Sequence, residues 1–565
     1  MHSALSVRPE STSEATRYLC IAARADESFG SRLIGELLYT DLRAVAPSVG
    51  IDLRPVLSHG LAARTQWRDR DISVLLVMAL SLLIAPVFSL VSWFLLLPLL
   101  GFVGKTAQNL GKLRVLLAMP VVIIFYFVFL QVSLEDADTG YWLGSSWFAS
   151  LAALVLFGLF VRDRLRTRQA LVGELRRDRF PTRPLPNPQT SPALQAKIDE
   201  VCAAQYGNVT VYGEFTPFIG NGMRVSDWSF ALPTVVSGER PHDAENTVAI
   251  DPLELIEHVR SRLALLGDPA GRATDGDRLH GLTLDDRVYV TGTDLAQRPE
   301  LLPTRDRPPV HQVSSALVGE IAGAPRGAAR HYLCASVPSW GGEVVATTFL
   351  HFSTDGRMLY LECACTILVP LARKYHEVDR LTDQVSPEQI LWTVARAATG
   401  LGTAVFGTPL RLLRGWWRDF RAPTRHLGTL AQAREDLGFN YGAQLSIREL
   451  GSLEGGLFSQ REQQQHLQNA FGISDRHPWL QYQNYFQVMD GRKHLKLVER
   501  HVLAAILDFL DDKGVDTTEF RSRQMTILNQ GIIQTGGVNV VGNQAVGEQA
   551  TANQQLSEQG SAKGA

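Results

Sequence analysis

Three long apolar stretches constrain the possible folds of this chain more than any other feature of its sequence. They occupy residues 72–103, 115–134 and 141–161, and the first contains no ionisable residue. A helix needs about 20 apolar residues to cross the hydrocarbon core of a bilayer, and each stretch reaches that length. The sequence therefore predicts an α-helical membrane domain over residues 72–161.

The charges that flank these stretches predict the topology, because Lys and Arg in short loops stay on the cytoplasmic side. Basic residues stand on both sides of the first stretch: Arg64, Arg68 and Arg70 before it, and Lys105, Lys112 and Arg114 after it. We therefore expect a hairpin or re-entrant pair, bent near Pro86, where proline removes a backbone donor. One long tilted helix, with the N-terminal region outside, is the alternative.

The later connections place most of the chain on the cytoplasmic side. The link between the second and third stretches, residues 135–138, contains acidic residues and no Lys or Arg, so it is expected outside. A dense run of arginines follows the third stretch and ends at Arg179. We therefore expect a multi-pass protein of the plasma membrane with both termini in the cytoplasm.

Changes in composition divide the chain into regions. They are a cytoplasmic helical region (1–71), the membrane domain (72–161), a basic and proline-rich linker (162–190), a cytoplasmic α+β domain (191–386), a basic amphipathic segment (387–421), a helical C-terminal region (422–529), a strand-like tail rich in Gly, Val and Asn (530–549) and a disordered end (550–565). The clearest element is a hairpin that turns at Asp355 and Gly356, because Asp-Gly supplies the positive φ of tight turns. It predicts an antiparallel sheet in the α+β domain.

Composition and motifs limit the chemistry that the chain can perform. A net charge of −2 gives no basic excess for nucleic acid. The five cysteines are expected to be reduced thiols. Cys363 and Cys365 share a strand face and could bind a soft metal, but no second Cys or His pair follows, so structural cysteines are favoured. Neither a Gly-x-Ser-x-Gly elbow nor a His-Glu-x-x-His helix occurs, and no catalytic residue, cofactor or metal is predicted.

The best candidate for a binding pocket is a loop rich in glycine. Its polar and glycine residues are Glu214, Gly220, Asn221, Gly222, Arg224 and Asp227. Glycine allows a ligand to approach the backbone closely. A purely structural loop is the alternative interpretation.

The basic amphipathic segment is a candidate membrane interface. Its proposed contact residues are Arg411, Arg414, Trp416, Trp417 and Arg418. Apolar residues fall near one helical face and arginines lie between them, which suits a helix whose apolar side enters the acyl boundary while its arginines meet anionic headgroups. A core helix of the preceding domain is the alternative.

The tail over residues 530–549 alternates short Val and Ile runs with Gly and Asn. This pattern is typical of short strands without a core of their own, which need another surface or another chain to become stable. The predicted partners are therefore the lipid bilayer and, through the tail, a second copy or another protein. No nucleic acid is expected.

Five short segments resemble those of large uncharacterised integral membrane proteins of high-GC actinobacteria. They are residues 17–20 (RYLC), 207–212 (GNVTVY), 281–288 (GLTLDDRV), 330–334 (RHYLC) and 526–531 (TILNQG). The resemblance covers most of the chain and implies no particular activity.

These features predict a membrane-anchored cytoplasmic assembly, scaffold or sensor protein without evident catalysis. A stress- or defence-related role is one form of that function. The alternative is a membrane-permeabilising effector or channel, although the apolar stretches contain almost no charged residue that could line an ion pathway.

Overall fold

The computed structural model describes separate ranges of the chain. They are residues 13–40, 42–90, 93–94, 140–180, 182, 184–186, 190–237, 247–267, 278–323, 328–382, 397, 401–452 and 482–529. The predicted tail (530–549), the predicted disordered end (550–565) and the second apolar stretch lie outside these ranges.

A six-stranded sheet forms the centre of the predicted α+β region. Its strands are β1 (Val209–Tyr212), β2 (Met223–Pro233), β3 (Thr283–Thr291), β4 (Ala329–Ser339), β5 (Val344–Thr354) and β6 (Met358–Leu368). Their order across the sheet is β1-β3-β4-β5-β6-β2. Strands β3 to β6 form an antiparallel meander, to which β2 is added beyond β6.

The hairpin expected at Asp355 and Gly356 joins β5 to β6. Gly356 has a φ of +90°, and the register pairs Leu350 with Cys363 and Phe352 with Leu361. The prediction of a wholly antiparallel sheet is wrong in one respect, because β1 runs parallel to β3. The sheet is therefore mixed. The alternation of Val209 and Val211 in β1 suits a strand, but it gives no strand direction.

The described residues form longer helices and one single turn. They are α1 (Glu14–Ala25), α2 (Glu27–Leu38), α3 (Leu53–Ile84), α4 (Gly140–Glu174), α5 (Pro192–Ala204), α6 (Pro252–Gly267), α7 (Ser315–Gly323), the single turn α8 (Arg373–His376), α9 (Leu401–Glu435), α10 (Ile447–Ser452), α11 (Tyr485–Asp512) and α12 (Thr518–Asn529). Side-chain oxygens cap several of them. Asp26 accepts hydrogen bonds from the N–H groups of Ser28 and Phe29 and so starts α2 directly after α1.

The main core lies between one face of the sheet and helices α6, α11 and α12. Val259 and Leu263 of α6 and Val502 and Ile506 of α11 are all buried in this core. Their spacing of about one helical turn gives each helix a continuous apolar stripe. A second core joins α1, α2 and the start of α3 to the end of α4 and to the segment after β6.

The prediction of a membrane domain is wrong for the part of the chain that the structure describes. Within the described ranges, no helix is both long enough and apolar enough to cross a membrane. Helix α3 contains the start of the first apolar stretch, but it begins far upstream at Leu53 and ends at Ile84. Helix α4 likewise continues from its apolar half into Arg162, Asp163 and Arg164.

The membrane part of the predicted fold class and the multi-pass location in the plasma membrane with both termini inside are therefore corrected. The hairpin over residues 72–103 stays a prediction, because residues 91–92 and 95–103 lie outside the described ranges. The described helices that contain parts of the first and third apolar stretches are continuous with charged segments. The end of the first stretch lies outside the described residues. The alternative function as a channel depended on the same spans.

An ion-pair network joins α2, α3, α4 and α9. Arg411 of α9 contacts Asp71 of α3 with Nε at 2.9 Å and Nη2 at 3.2 Å. Arg70 contacts the same carboxylate at 2.8 Å and Asp163 of α4 at 3.1 Å. The side chains of Asp71 and Asp163 are buried, so each needs a cation close by. This network fixes the N-terminal half of α9 against α3.

We expect the Arg411→Leu substitution to lower the free energy of unfolding by about 1–3 kcal/mol, because the buried Asp71 carboxylate loses charged hydrogen bonds. Urea denaturation followed by circular dichroism measures the change. Arg414→Leu is the control, since Arg414 is exposed on the same helix. Equal stability of the two variants would show that the contact with Asp71 does not hold α9 in place.

Candidate functional site

Strand β2 leaves one long edge of the sheet open. It pairs with β6 from Met223 to Pro233, and in the part of the chain that the structure describes no strand pairs with its other side. The backbone N–H and C=O groups on that side can therefore accept another strand. A bulge between Arg224 and Ser226 distorts the first residues of the edge, and the exposed Asp227 follows it. The second half, from Trp228 to Pro233, contains no charged residue.

Helix α12 brings the chain to this edge. The Phe520 ring lies 5.6 Å from the ring of Phe230 in β2, and the Arg523 guanidinium lies 5.4 Å from the same ring. The helix ends at Asn529, where the predicted strand-like tail begins. The first half of the helix that precedes the tail in sequence therefore packs on the unpaired strand.

The candidate pocket loop is held by a carboxylate of the chain itself. The N–H groups of Gly220 and Gly222 both donate to Glu449 Oε1, each over 3.0 Å. Both glycines have a positive φ, of +85° and +82°, so their N–H groups converge as in an anion-binding nest. A Cβ on either residue would lie 2.3 Å from a backbone oxygen, which explains the need for glycine.

The structure separates the other residues of that loop. Asn221 is buried, whereas Glu214 is exposed. Arg224 and Asp227 lie on β2, where they form an exposed pair 3.7 Å apart. Of the six predicted residues, only the three from Gly220 to Gly222 lie together beside Glu449. Whether the loop binds a ligand stays a prediction.

Burial raises the pKa of Glu449 to about 7, although the two glycine N–H groups and the neighbouring Arg448 oppose this shift. Arg448 is fully buried, and its Nη2 donates to the backbone oxygens of Glu343 and Val369 over 2.7 and 2.9 Å. Burial lowers the pKa of Arg448 to about 10, against the effect of nearby carboxylates. Both residues lie on α10 and join the loop to the end of the sheet.

A cavity of about 880 Å³ lies along a second open strand edge. Only Val288–Thr291 of β3 pairs with β1, so the preceding residues from Thr283 have no partner strand on that side among the described residues. The N–H of Val288 donates to Asn208 O. The backbone N–H and C=O groups of a strand point to the same side at every second residue. Those of Leu284 and Asp286 therefore point to the same side as those of Val288, toward the cavity.

Asp286 joins three elements at the wall of this cavity. Arg260 Nη2 of α6 lies 2.6 Å from both carboxylate oxygens, and His331 Nε2 of β4 lies 2.8 Å from one of them. Burial alone would raise the pKa of Asp286, but the hydrogen bond with His331 and the charge of Arg260 outweigh it and lower the pKa. Since His331 is buried and both oxygens are engaged, this arrangement clamps α6 to the sheet.

The candidate interface residues on α9 occupy different environments. Arg411 belongs to the ion-pair network, Arg414 is exposed, and the side chain of Arg418 lies outside the described residues. Trp416 and Trp417 are 58% and 45% exposed, and the ring of Trp416 stacks on that of Phe420 at 5.4 Å. The structure therefore shows an exposed aromatic cluster, and its contact with a membrane surface stays a prediction.

Cys363 and Cys365 lie on the same face of β6, with their sulfur atoms 3.9 Å apart, and both are buried. No group of three or more His, Cys, Asp and Glu residues with described positions is arranged to hold a metal ion.

Sequence reasoning missed Glu449, Arg448 and Asp286. Their partners are more than 20 residues away along the chain, and no local spacing marks any of them as special. The one available signal was the adjacency of Arg448 and Glu449 to the apolar Ile447 and Leu450, which predicts a partly buried position for charged groups.

One protein-family model matches most of the sheet and the helices that follow it. The AbeC-like domain model matches residues 227–542, from the middle of β2 to beyond the end of α12. The match covers more than half of the chain, and the protein belongs to this family. Neither the curated proteins nor the solved structures gave a match.

We expect Glu449→Gln to change the pH dependence of stability. The pKa of the folded carboxyl is raised from 4.5 to about 7, so the folded state binds its proton more tightly and the wild type loses stability as pH rises through this range. Glutamine keeps the acceptor for both glycine N–H groups and does not ionise. Thermal melting should give similar temperatures at about pH 5 and a higher one for the variant at about pH 8.

Glu214→Gln removes an exposed carboxylate from the same loop and should leave the pH profile unchanged. Parallel profiles for the wild type and Glu449→Gln would contradict the assignment.

Proposed function

We propose that this chain is an assembly or scaffold protein, and that its C-terminal tail adds a strand to the open edge of β2 in a second copy. The observation that supports this proposal best is the position of α12, whose Phe520 and Arg523 pack on Phe230 of an unpaired strand. We also infer that its relatives include the high-GC actinobacterial proteins whose segments it resembles.

The sequence of the tail suits strand addition. Residues 538–541 read Val-Asn-Val-Val, and Ile532 and Ile533 precede them. An added strand forms backbone hydrogen bonds with the edge and places alternate side chains on the two faces of the sheet. The family match ends at residue 542, so it includes this part of the tail with the sheet domain.

The edge of β2 fits this role better than the open part of β3. Helix α12 packs on Phe230, within the uncharged half of β2, whereas β1 and β4 lie on the two sides of β3. Charged residues and bulges protect strand edges from unwanted pairing. In β2 they occur only in the first half, around Arg224 and Asp227.

Exchange of the tail between copies explains assembly without a separate interface. The same contacts that a tail could form within its own chain are formed with a neighbour, as in domain swapping. Two copies that exchange tails close a symmetric dimer. A tail that passes only one way would instead produce a longer series of copies.

We expect deletion of residues 530–565 to lower the molar mass measured by light scattering after size-exclusion chromatography. Deletion of residues 550–565 alone should leave the mass unchanged, because it retains the Val-rich segment. Circular dichroism should show the same helix and strand content in both. An unchanged mass after the longer deletion would exclude assembly through the tail.

A second pair of variants tests the apolar positions directly. Val538→Asp combined with Val540→Asp places charges on one face of the added strand and should lower the mass as the deletion does. Asn539→Asp combined with Asn543→Asp adds the same charge at polar positions and should preserve the assembly. If both double variants lower the mass equally, net charge rather than strand pairing controls assembly.

A further inference from the structure

A second large cavity lies between the N-terminal helices and the segment that follows β6. Its volume is about 860 Å³, within the range of small-molecule sites. One wall consists of α3 and α4 together with the start of α2. The opposite wall is the chain from Lys374 to Leu381. It does not overlap the open edge of β2.

Basic groups outnumber acidic groups around this cavity. The basic residues are Arg24, Arg70, Arg164, Arg168, Lys374 and Arg380, and the acidic residues are Asp26, Glu27, Asp163 and Glu377. Basic residues of the same cavity contact Asp26, Glu27 and Asp163. Lys374 contacts Asp26 at 2.6 Å, and Arg70 contacts Glu27 at 3.3 Å and Asp163 at 3.1 Å.

Two arginines on opposite walls remain available. Arg164 on α4 and Arg380 after α8 have no carboxylate within ion-pair distance among the described residues, and both side chains are exposed. Arg168 lies one helical turn after Arg164 on the same cavity wall. Arg24, which is 9% exposed, already contacts Glu174 through its Nη2 at 3.3 Å.

The chemistry of these walls favours phosphate. Guanidinium groups present paired N–H donors that match phosphate oxygens, and two forks on facing walls can bind the same anion. Trp67 and Tyr375 add flat apolar surface to the cavity. A phosphate group with an attached ring would thus meet both kinds of wall.

We propose that this cavity binds a soluble, phosphate-bearing small molecule, with Arg164 and Arg380 as the direct ligands of the phosphate. Arg168 lies beside Arg164 on the same wall. The two walls are already linked where Lys374 and the Tyr375 hydroxyl, at 3.2 Å, meet Asp26. A bound phosphate adds a second link between them, so binding stabilises the full chain.

Isothermal titration of the full chain with inorganic pyrophosphate tests the site. The test variant is Arg164→Gln combined with Arg380→Gln. The control is Arg162→Gln combined with Arg373→Gln, which removes the same charge from exposed positions of the same two segments that do not line the cavity. Both variants should melt at the wild-type temperature without ligand, because all four side chains are exposed.

We expect the wild type and the control to bind pyrophosphate with similar affinity and the test variant to lose about tenfold or more per arginine. Absence of binding to the wild type, or an equal loss in the control, would overturn the proposal. Equally tight binding of citrate would exclude specificity for phosphate.

Vesicles of phosphatidylcholine with phosphatidylglycerol distinguish a soluble ligand from a lipid headgroup. For a soluble ligand, flotation with these vesicles should be the same in the test variant and the control. Flotation that only the test variant loses would assign the arginines to lipid phosphate and overturn the soluble ligand.

Discussion

Two adjacent charged residues on the six-residue helix α10 hold together parts of the chain that are far apart in sequence. Arg448 donates to backbone oxygens at both ends of the β5–β6 hairpin, and Glu449 accepts from the loop before β2. Both are charged groups in positions with little water, so each is stable only with its partners in place. The register of the hairpin and the path of the loop into β2 therefore depend on each other through α10.

The elements that the sequence predicted well are those whose stability is local. The β5–β6 hairpin follows from Asp-Gly chemistry. Helix α11 lies within the region 422–529 that the sequence predicted to be helical, and its buried Val498, Val502 and Ile506 recur at helical spacing. The nest at Gly220 and Gly222 could not be predicted, because its anion comes from residue 449. The same holds for Asp286, whose two cationic partners lie on α6 and β4. The local sequence pattern predicts where a helix or strand lies, but it does not predict which distant residue contacts it.

The membrane prediction failed for a related reason. A window of apolar residues predicts a span from its length and hydropathy alone, and it does not show which residues the folded helix contains. Helix α3 extends far into polar sequence on its N-terminal side, and Asp71 and Arg70 within it are held by α4 and α9. Arg70, which the sequence suggested as a charge at the edge of a membrane span, thus forms ion pairs that join the helices. Arg411, which suited a lipid headgroup in sequence, does the same.

The family region begins in the middle of β2, yet its fold depends on residues before that point. Strand β1 supplies the only partner of β3 on one side among the described residues. Arg17 contacts Asp379 at 2.8 Å, the Tyr18 hydroxyl donates to the same carboxylate over 2.5 Å, and the Tyr18 ring lies 3.9 Å from His376. Without α1, Asp379 would lose these partners, and the loop held by Glu449 also precedes residue 227. The N-terminal helices are therefore an integral part of the domain. The cavity between these helices and the segment after β6 belongs to the same connected structure as the open edge of β2.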